Sequence, residues 1–245
     1  MLSDLARCVV PVLGRFRVGP GRLPQGPCIV AVNHSSLIDP GVVLAALGRM
    51  GERQPVVLAT AGLWRIPVLG RVLRAEGHIP VHRGTAQAAA ALEAAERELR
   101  RGRVVVIYPE GRIPPRPDSA DATPQEFRSG LARLALATGA PVVPLGQAGS
   151  RRITSGSTFK QVAGVATAPV RRPRVQVCLG APIRLSGPVP QATEQARTAV
   201  TEAWRTAVDG LGAKQPRRRS SRRRGERPAT RGSLTECGGP SRPRG

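Results

Sequence analysis

Five short apolar runs, dominated by valine, leucine and isoleucine, constrain this chain more than any other feature. They span residues 28–33, 56–59, 104–108, 142–145 and 175–179. None alternates apolar with polar residues, as a strand wetted on one face does, so each suits a strand buried on both faces. Segments with helical periodicity lie between them. Residues 41–48 are apolar on most faces. Residues 85–101 place Leu92, Ala95 and Leu99 on one side and the pairs Glu93/Arg97 and Glu96/Arg100 on another, with Gly102 as a stop. Residues 129–138 repeat the pattern, with Leu131, Leu134 and Ala135 inward and Gly139 at the end. Residues 192–211 carry a stripe that includes Ala196, Ala203, Trp204, Ala207 and Leu211. This strand–helix alternation predicts an α/β fold, a mostly parallel sheet covered by helices on both faces.

The 245 residues suit one domain with appendages. Residues 1–27 read as an N-terminal segment and a turn-rich linker, 28–212 as the domain, and 213–245 as a tail. Within 2–18, Leu5, Val9, Val10, Val12, Leu13 and Phe16 accompany Arg7, Arg15 and Arg17. That segment has two readings: an amphipathic stretch lying on a membrane, or a helix packed on the domain's own core. No stretch reaches the roughly 20 apolar residues that span a bilayer. The proline-rich residues 114–124 read as a loop.

The net charge is +22. The tail holds 11 Lys and Arg against 2 Glu, a net +9, which leaves +13 for the rest of the chain. With arginine clusters and no apolar periodicity, the tail is expected to be disordered. So large a charge calls for an anionic partner: a phospholipid surface, a phosphorylated substrate, a CoA-type donor or nucleic acid. Nucleic acid is the weakest of these, because none of the six aromatic residues is interleaved with the arginine clusters and no recognition motif is present. Cys8, Cys28, Cys178 and Cys237 lack metal-ligand spacing, and Cys28 and Cys178 sit inside apolar runs as small core residues. A reducing compartment, no disulfide and no metal site are expected.

The chemistry concentrates where apolar runs end. Asn33-His34-Ser35-Ser36-Leu37-Ile38-Asp39-Pro40 places an imidazole and a carboxylate five positions apart. A histidine held by a carboxylate is the usual means of taking a proton from an alcohol. Asp39 also has a structural reading, because Asp-Pro ahead of Gly-Val-Val-Leu makes a helix cap followed by a first-turn proline. Three further segments follow: Gly77-His78-Ile79-Pro80-Val81-His82-Arg83-Gly84, then Val106-Ile107-Tyr108-Pro109-Glu110-Gly111-Arg112, then Ala140-Pro141-Val142-Val143-Pro144-Leu145-Gly146. In this order the four blocks resemble those of the glycerophospholipid acyltransferase family, typified by lysophosphatidic acid acyltransferase. The resemblance runs over residues 28–149, about half the chain.

The resemblance implies an enzyme of phospholipid biosynthesis. It would move a fatty acyl group from an acyl-CoA or acyl-carrier-protein thioester to the hydroxyl of a lysophosphatidic acid. No bound cofactor is implied, and the enzyme would work in the cytoplasm, peripherally attached to the anionic inner face of the cell membrane. His34 would be the general base and Asp39 would fix its tautomer, as in a hydrolase triad whose serine is replaced by the substrate hydroxyl. Arg83 matches the family's phosphate-binding arginine. Glu110 and Gly111 match its Pro-Glu-Gly box, Glu110 orienting the substrate or bracing the basic cluster and Gly111 letting the backbone approach a ligand.

The chain departs from the family at three places. His82 stands where an acid usually precedes the arginine, and Ala59-Thr60-Ala61 lacks a lysine that many relatives carry. Glu110-Gly111-Arg112-Ile113 stands in place of Glu-Gly-Thr-Arg-Ser, which brings Arg112 one position early as a candidate substrate-binding residue. Val143-Pro144 reads either as the floor of an acyl pocket or as core. His78 and His82 have no partner carboxylate in sequence and read as surface residues near the site. Rival readings are a relative that acylates another lipid acceptor, an inactive relative serving as a binding module, and a basic nucleic-acid-binding protein.

Overall fold

A computed structural model describes residues 2–84, 87–114 and 118–212. The chain divides into a compact unit, Met1–Ala213, and a second unit, Lys214–Gly245. The tail's expected disorder, Cys237 and part of the 114–124 loop lie outside the described residues.

Seven strands form one sheet: β1 (Arg15–Val18), β2 (Ile29–Val32), β3 (Val56–Thr60), β4 (Ile79–Val81), β5 (Val105–Ile107), β6 (Val142–Ala148) and β7 (Arg174–Leu179), in the spatial order β1-β7-β6-β2-β5-β3-β4. The pairs β2–β5, β2–β6, β3–β5 and β3–β4 are parallel. β7 runs antiparallel to β6, and β1 runs parallel to β7. The helices are α1 (Leu2–Leu13), α2 (Asp39–Arg49), α3 (Pro67–Ala75), α4 (Ala88–Arg100), α5 (Gly130–Thr138), α6 (Thr158–Arg171) and α7 (Val189–Gly212). This is the mostly parallel, helix-covered sheet that the apolar runs predict.

All five runs become strands. The two strands without a run, β1 and β4, are the two ends of the sheet. An edge strand needs only one set of backbone partners and one dry face, so its sequence is freer. β1 alternates Arg15-Phe16-Arg17-Val18 and buries Phe16. β4 carries Pro80, which has no N–H for a ladder.

The central strands are dry on both sides. Val30 and Val32 of β2 point to one face, where α2 contributes Val42, Val43 and Leu47, α1 contributes Ala6 and Val10, and α6 contributes Ala168. Ile29 and Ala31 point to the other, with Ala95 and Leu99 of α4, Leu131 and Leu134 of α5, and Ala196 and Val200 of α7. The pleat sends neighbours to opposite faces, so a strand between two helical layers must be apolar throughout. Pro144 is buried within β6, where Val143 and Leu145 join the same core, which is the core reading of the Val-Pro pair. Cys28 is fully buried, and burial pushes its thiol up to about 11. α1 rests on α2 and α6, burying Ser3, Ala6 and Val10, so its inner face follows the core-packed reading of the N-terminal segment. Leu5, Val9 and Val12 face outward from it.

His78 corrects a sequence expectation. It is buried rather than on the surface; its Nδ1 accepts from the Val57 N–H at 3.1 Å, and its Nε2 lies 3.4 Å from Glu76. Burial lowers its pKa, against the pull of Glu76. The folded state therefore resists protonation more than the unfolded chain, whose histidine titrates near about 6.5. Stability from this residue is complete above that pH and is lost as pH falls toward the lower folded value. A His78→Asn protein, which offers an acceptor but takes no proton, is expected to lose less melting temperature between pH 7 and pH 5 than the parent. Equal losses in parallel thermal melts would rule out His78 as a source of acid sensitivity.

Candidate active site

The parallel strands β6, β2 and β5 are adjacent, so their carboxyl ends share one edge of the sheet. Each runs directly into a chemistry-bearing segment: β2 into Asn33-His34, β5 into Tyr108-Pro109-Glu110, β6 into Gly149-Ser150-Arg151. Open α/β sheets place ligands at this edge, because the loops diverge there and leave a crevice. Residues 110 positions or more apart are thereby tied together. Gln147 donates from its backbone N–H to Asn33 Oδ1 at 2.8 Å and from its side chain to Asn33 O at 2.9 Å, and Asn33 Nδ2 donates to Gln147 O at 3.1 Å.

His34 Nδ1 lies 3.0 Å from Asp39 Oδ2. Asp39 is fully buried, and its function differs from the expected helix cap. It is the first residue of α2, Ile38 occupies the cap position, and no side-chain cap bond is made. Instead, Oδ2 reaches back to accept from the N–H groups of Ser35 at 2.6 Å and Ser36 at 2.7 Å, while Oδ1 accepts from Ser150 Oγ at 2.7 Å. The carboxylate therefore organises the whole 34–39 loop. A carboxylate can only accept, so Nδ1 carries the imidazole proton and Nε2 keeps its lone pair.

Asp39→Ala is expected to cost about 3 kcal/mol or more, because several buried donors lose their acceptor together. Asp39→Asn should cost far less. Its Oδ1 can occupy the Oδ2 position, and the Ser150 hydroxyl can rotate to accept from its amide. Thermal melts compare the two, and equal melting temperatures would remove Asp39 from its organising role.

Glu110 is buried, with 6% of its surface exposed, and its carboxylate points at backbone. Oε1 accepts from the His34 N–H at 2.7 Å and Oε2 from the Gln125 N–H at 3.1 Å. Burial raises its pKa, and these two hydrogen bonds oppose the rise. Glu110 thus grips the histidine's own backbone. Gly111 follows at φ 72°, a left-handed conformation that costs glycine nothing. A Cβ there would lie 2.9 Å from Arg128 Nε, so the Arg128 side chain passes directly over the glycine.

His34 faces a cavity of about 380 Å³ lined also by Asn33, Glu110, Asp121, Arg151 and Trp204. A second cavity, of about 610 Å³, shares Glu110 and adds Arg112, Arg128 and Arg197 with Glu126. Arg112 is exposed on its wall. Arg83 follows β4 at the same edge of the sheet; partial burial and the charge of Arg128 lower its pKa.

Several residues of this constellation gain a role only in the structure, among them Tyr108, which stands in the third sequence block without a role of its own there. Tyr108 stacks at 4.5 Å between centroids on His34, in a tilted arrangement. Arg151 is buried and donates from Nη1 to Ser35 O at 3.0 Å and from Nη2 to Asp118 O. Asp121 accepts from the Gly149 N–H at 2.7 Å, which draws the 118–125 loop over the cavity. Ser150, Arg151 and Arg128 belong to no fixed spacing with His34. Only the adjacency of β2, β5 and β6 brings them in.

Known proteins resemble this chain. A 1-acyl-sn-glycerophosphate acyltransferase, PlsC of Thermotoga maritima, has the same fold: the TM-score is 0.65 at 18% identity, over 87% of this chain and 79% of that one. A probable 1-acyl-sn-glycerol-3-phosphate acyltransferase of Mycoplasma genitalium is 28% identical over 129 residues, 52% of this chain and 46% of that protein. A 1-acyl-sn-glycerol-3-phosphate acyltransferase of Borreliella burgdorferi is 33% identical over 118 residues, 48% of this chain and 44% of its own length. The chain thus spans a little under half of these two relatives. The family described as Acyltransferase matches residues 16–147, more than half of the 245-residue chain and all four sequence blocks, and this protein belongs to that family.

Proposed function

We propose that the domain transfers a fatty acyl group from an acyl-CoA or acyl-carrier-protein thioester to the free hydroxyl of a lysophosphatidic acid. The observation that carries this reading is the 3.0 Å His34–Asp39 contact beside a cavity that the imidazole lines. Nε2 takes the hydroxyl proton as the oxygen attacks the thioester carbonyl carbon. The tetrahedral intermediate collapses with cleavage of the C–S bond, and the imidazolium returns its proton to the departing thiolate. Asp39 stays ionised and stabilises the imidazolium. The scheme requires no acyl-enzyme and no bound cofactor.

Glu110 serves as a positioning residue in this scheme. The acceptor phosphate would lie against Arg83, Arg128 and Arg112, where guanidinium forks suit its oxygens. The names of the matched relatives, acyltransferases of 1-acyl-sn-glycerol-3-phosphate, support that acceptor. The working location is peripheral, at an anionic membrane surface on the cytoplasmic side, with the basic tail 213–245 as an electrostatic anchor. Among the described residues no helix is long and apolar enough to cross a membrane.

The Glu110-Gly111-Arg112-Ile113 box favours a second reading, a relative acting on another phosphate-bearing lipid, because Arg112 occupies a different backbone position from the family's arginine. Purified protein incubated with a panel of lysolipids and labelled acyl thioesters decides between them. Arg83→Ala is expected to raise the acceptor KM about tenfold, the scale of one lost charge-assisted contact, and to leave the donor KM near its parent value. Equal rises for both substrates would remove Arg83 from the acceptor phosphate.

A further inference from the structure

We infer that the outer face of α6, continued by α1, is the surface on which this protein docks to an anionic lipid bilayer. α6 is amphipathic in the opposite sense from an ordinary surface helix. Its inward side packs through Ala168 and Val165 on the core. Its outward side carries Phe159, Val162, Ala166 and Val170, positions three and four apart that share one stripe. Phe159 is 82% exposed and Val170 88%, the most exposed large apolar side chains among the described residues. A helix that hides alanine and displays phenylalanine and valine gains nothing from water.

Charge identifies the occupant. Residues 150–172 contain Arg151, Arg152, Lys160, Arg171 and Arg172 and no acidic residue. All but Arg151 are exposed, so α6 and its flanks add only cations beside the apolar stripe, while α1 adds one acid, Asp4, paired with Arg7. α1 touches α6 and turns its own stripe outward through Leu5, Val9 and Val12. Apolar side chains beside an excess of cations match acyl chains beneath anionic headgroups.

Position links this face to the site. A third cavity, of about 230 Å³, lies between the loop after His34 and the start of α6, lined by Ser35, Ser36, Leu37 and Pro114 together with Gly156 and Gln161. Leu37, 64% exposed, lies three residues from His34. A bilayer seated on α6 would therefore lie near the loop that follows the imidazole, an arrangement that rests on the reading of this domain as a lipid acyltransferase.

The test uses the full chain and its double variant Phe159→Ser/Val170→Ser, whose changes are exposed and leave the core untouched. Sedimentation with large vesicles of phosphatidylglycerol and phosphatidylcholine in 1 M salt suppresses attraction through charge, including that of the tail. The variant is expected to bind these vesicles at least about tenfold more weakly, since two apolar side chains no longer enter the bilayer. Turnover of vesicle-borne acceptor should fall in step, while turnover of detergent-dispersed acceptor stays unchanged. Undiminished vesicle binding would overturn the inference. So would a concentration-dependent dimer that the substitutions abolish without affecting vesicle binding, because the face would then belong to a second copy. A parent protein that binds vesicles through this face but acylates no lysolipid would refute the proposed reaction and leave the docking surface standing.

Discussion

His34→Ala is expected to lower kcat/KM for acyl transfer at least about a hundredfold, the low end for removal of a general base. The fold should survive. Asp39 keeps its bonds from the Ser35 and Ser36 N–H groups and from Ser150, and Glu110 keeps its bond from the backbone N–H of residue 34, which alanine also supplies. The measurement is steady-state kinetics on variant protein with a parent-like melting temperature. Turnover within a few-fold of the parent in such a protein would remove the imidazole from the chemistry and take the proposed mechanism with it. The proportion between the kinetic loss and the small structural change is the informative quantity, since a merely structural histidine would show the reverse.

Gly146→Ala is expected to destabilise the domain by about 3 kcal/mol, the upper range for overpacking, although it adds a single methyl group. Gly146 lies in β6 under the middle of α7, and a Cβ there would lie 2.1 Å from Ala203 C and 2.1 Å from Trp204 N. Those atoms are helix backbone, so no side chain can rotate away and α7 must lift. For a domain of this size the melting temperature should fall by about 6–12 °C. Because Trp204 lines the His34 cavity and Gln147 holds Asn33, activity should decline as well. A melting temperature within about 2 °C of the parent's would mean that strand and helix do not approach as closely as this. The reason for a glycine after Val143-Pro144-Leu145 is thus helix contact rather than turn formation.

The dry core was legible because its physical cause is local in sequence. A strand between two helical layers is apolar at consecutive positions, so β2, β3, β5, β6 and β7 announce themselves. The two edge strands do not, since Arg15-Phe16-Arg17-Val18 and Ile79-Pro80-Val81 obey weaker demands. α6 was missed for a related reason: its apolar residues face outward, so its pattern does not report burial in the domain.

The site divides in the same way. His34, Asp39, Glu110 and Gly111 stand in short blocks beside strand ends, and the structure brings them to one edge. The reading of Asp39 as a cap failed because Asp-Pro satisfies the local preference for a helix start, whereas the three-dimensional loop offers the carboxylate two backbone N–H groups, an imidazole and a hydroxyl. His78 failed similarly, its partners Val57 and Glu76 being a neighbouring strand and a helix end.

By itself, then, the sequence determined the fold class, the order of the strands' buried runs, and the segments that carry the imidazole, its carboxylate and the glutamate, because hydrophobic period and strand-end motifs are properties of consecutive residues. The tertiary structure alone decided that Glu110 grips the His34 backbone, that Ser150 and Arg151 complete the loop, and that Arg83 and Arg128 share one region of positive charge. Those relations depend on β5, β2 and β6 lying side by side, and strand adjacency is set by the packing of whole layers rather than by any local preference.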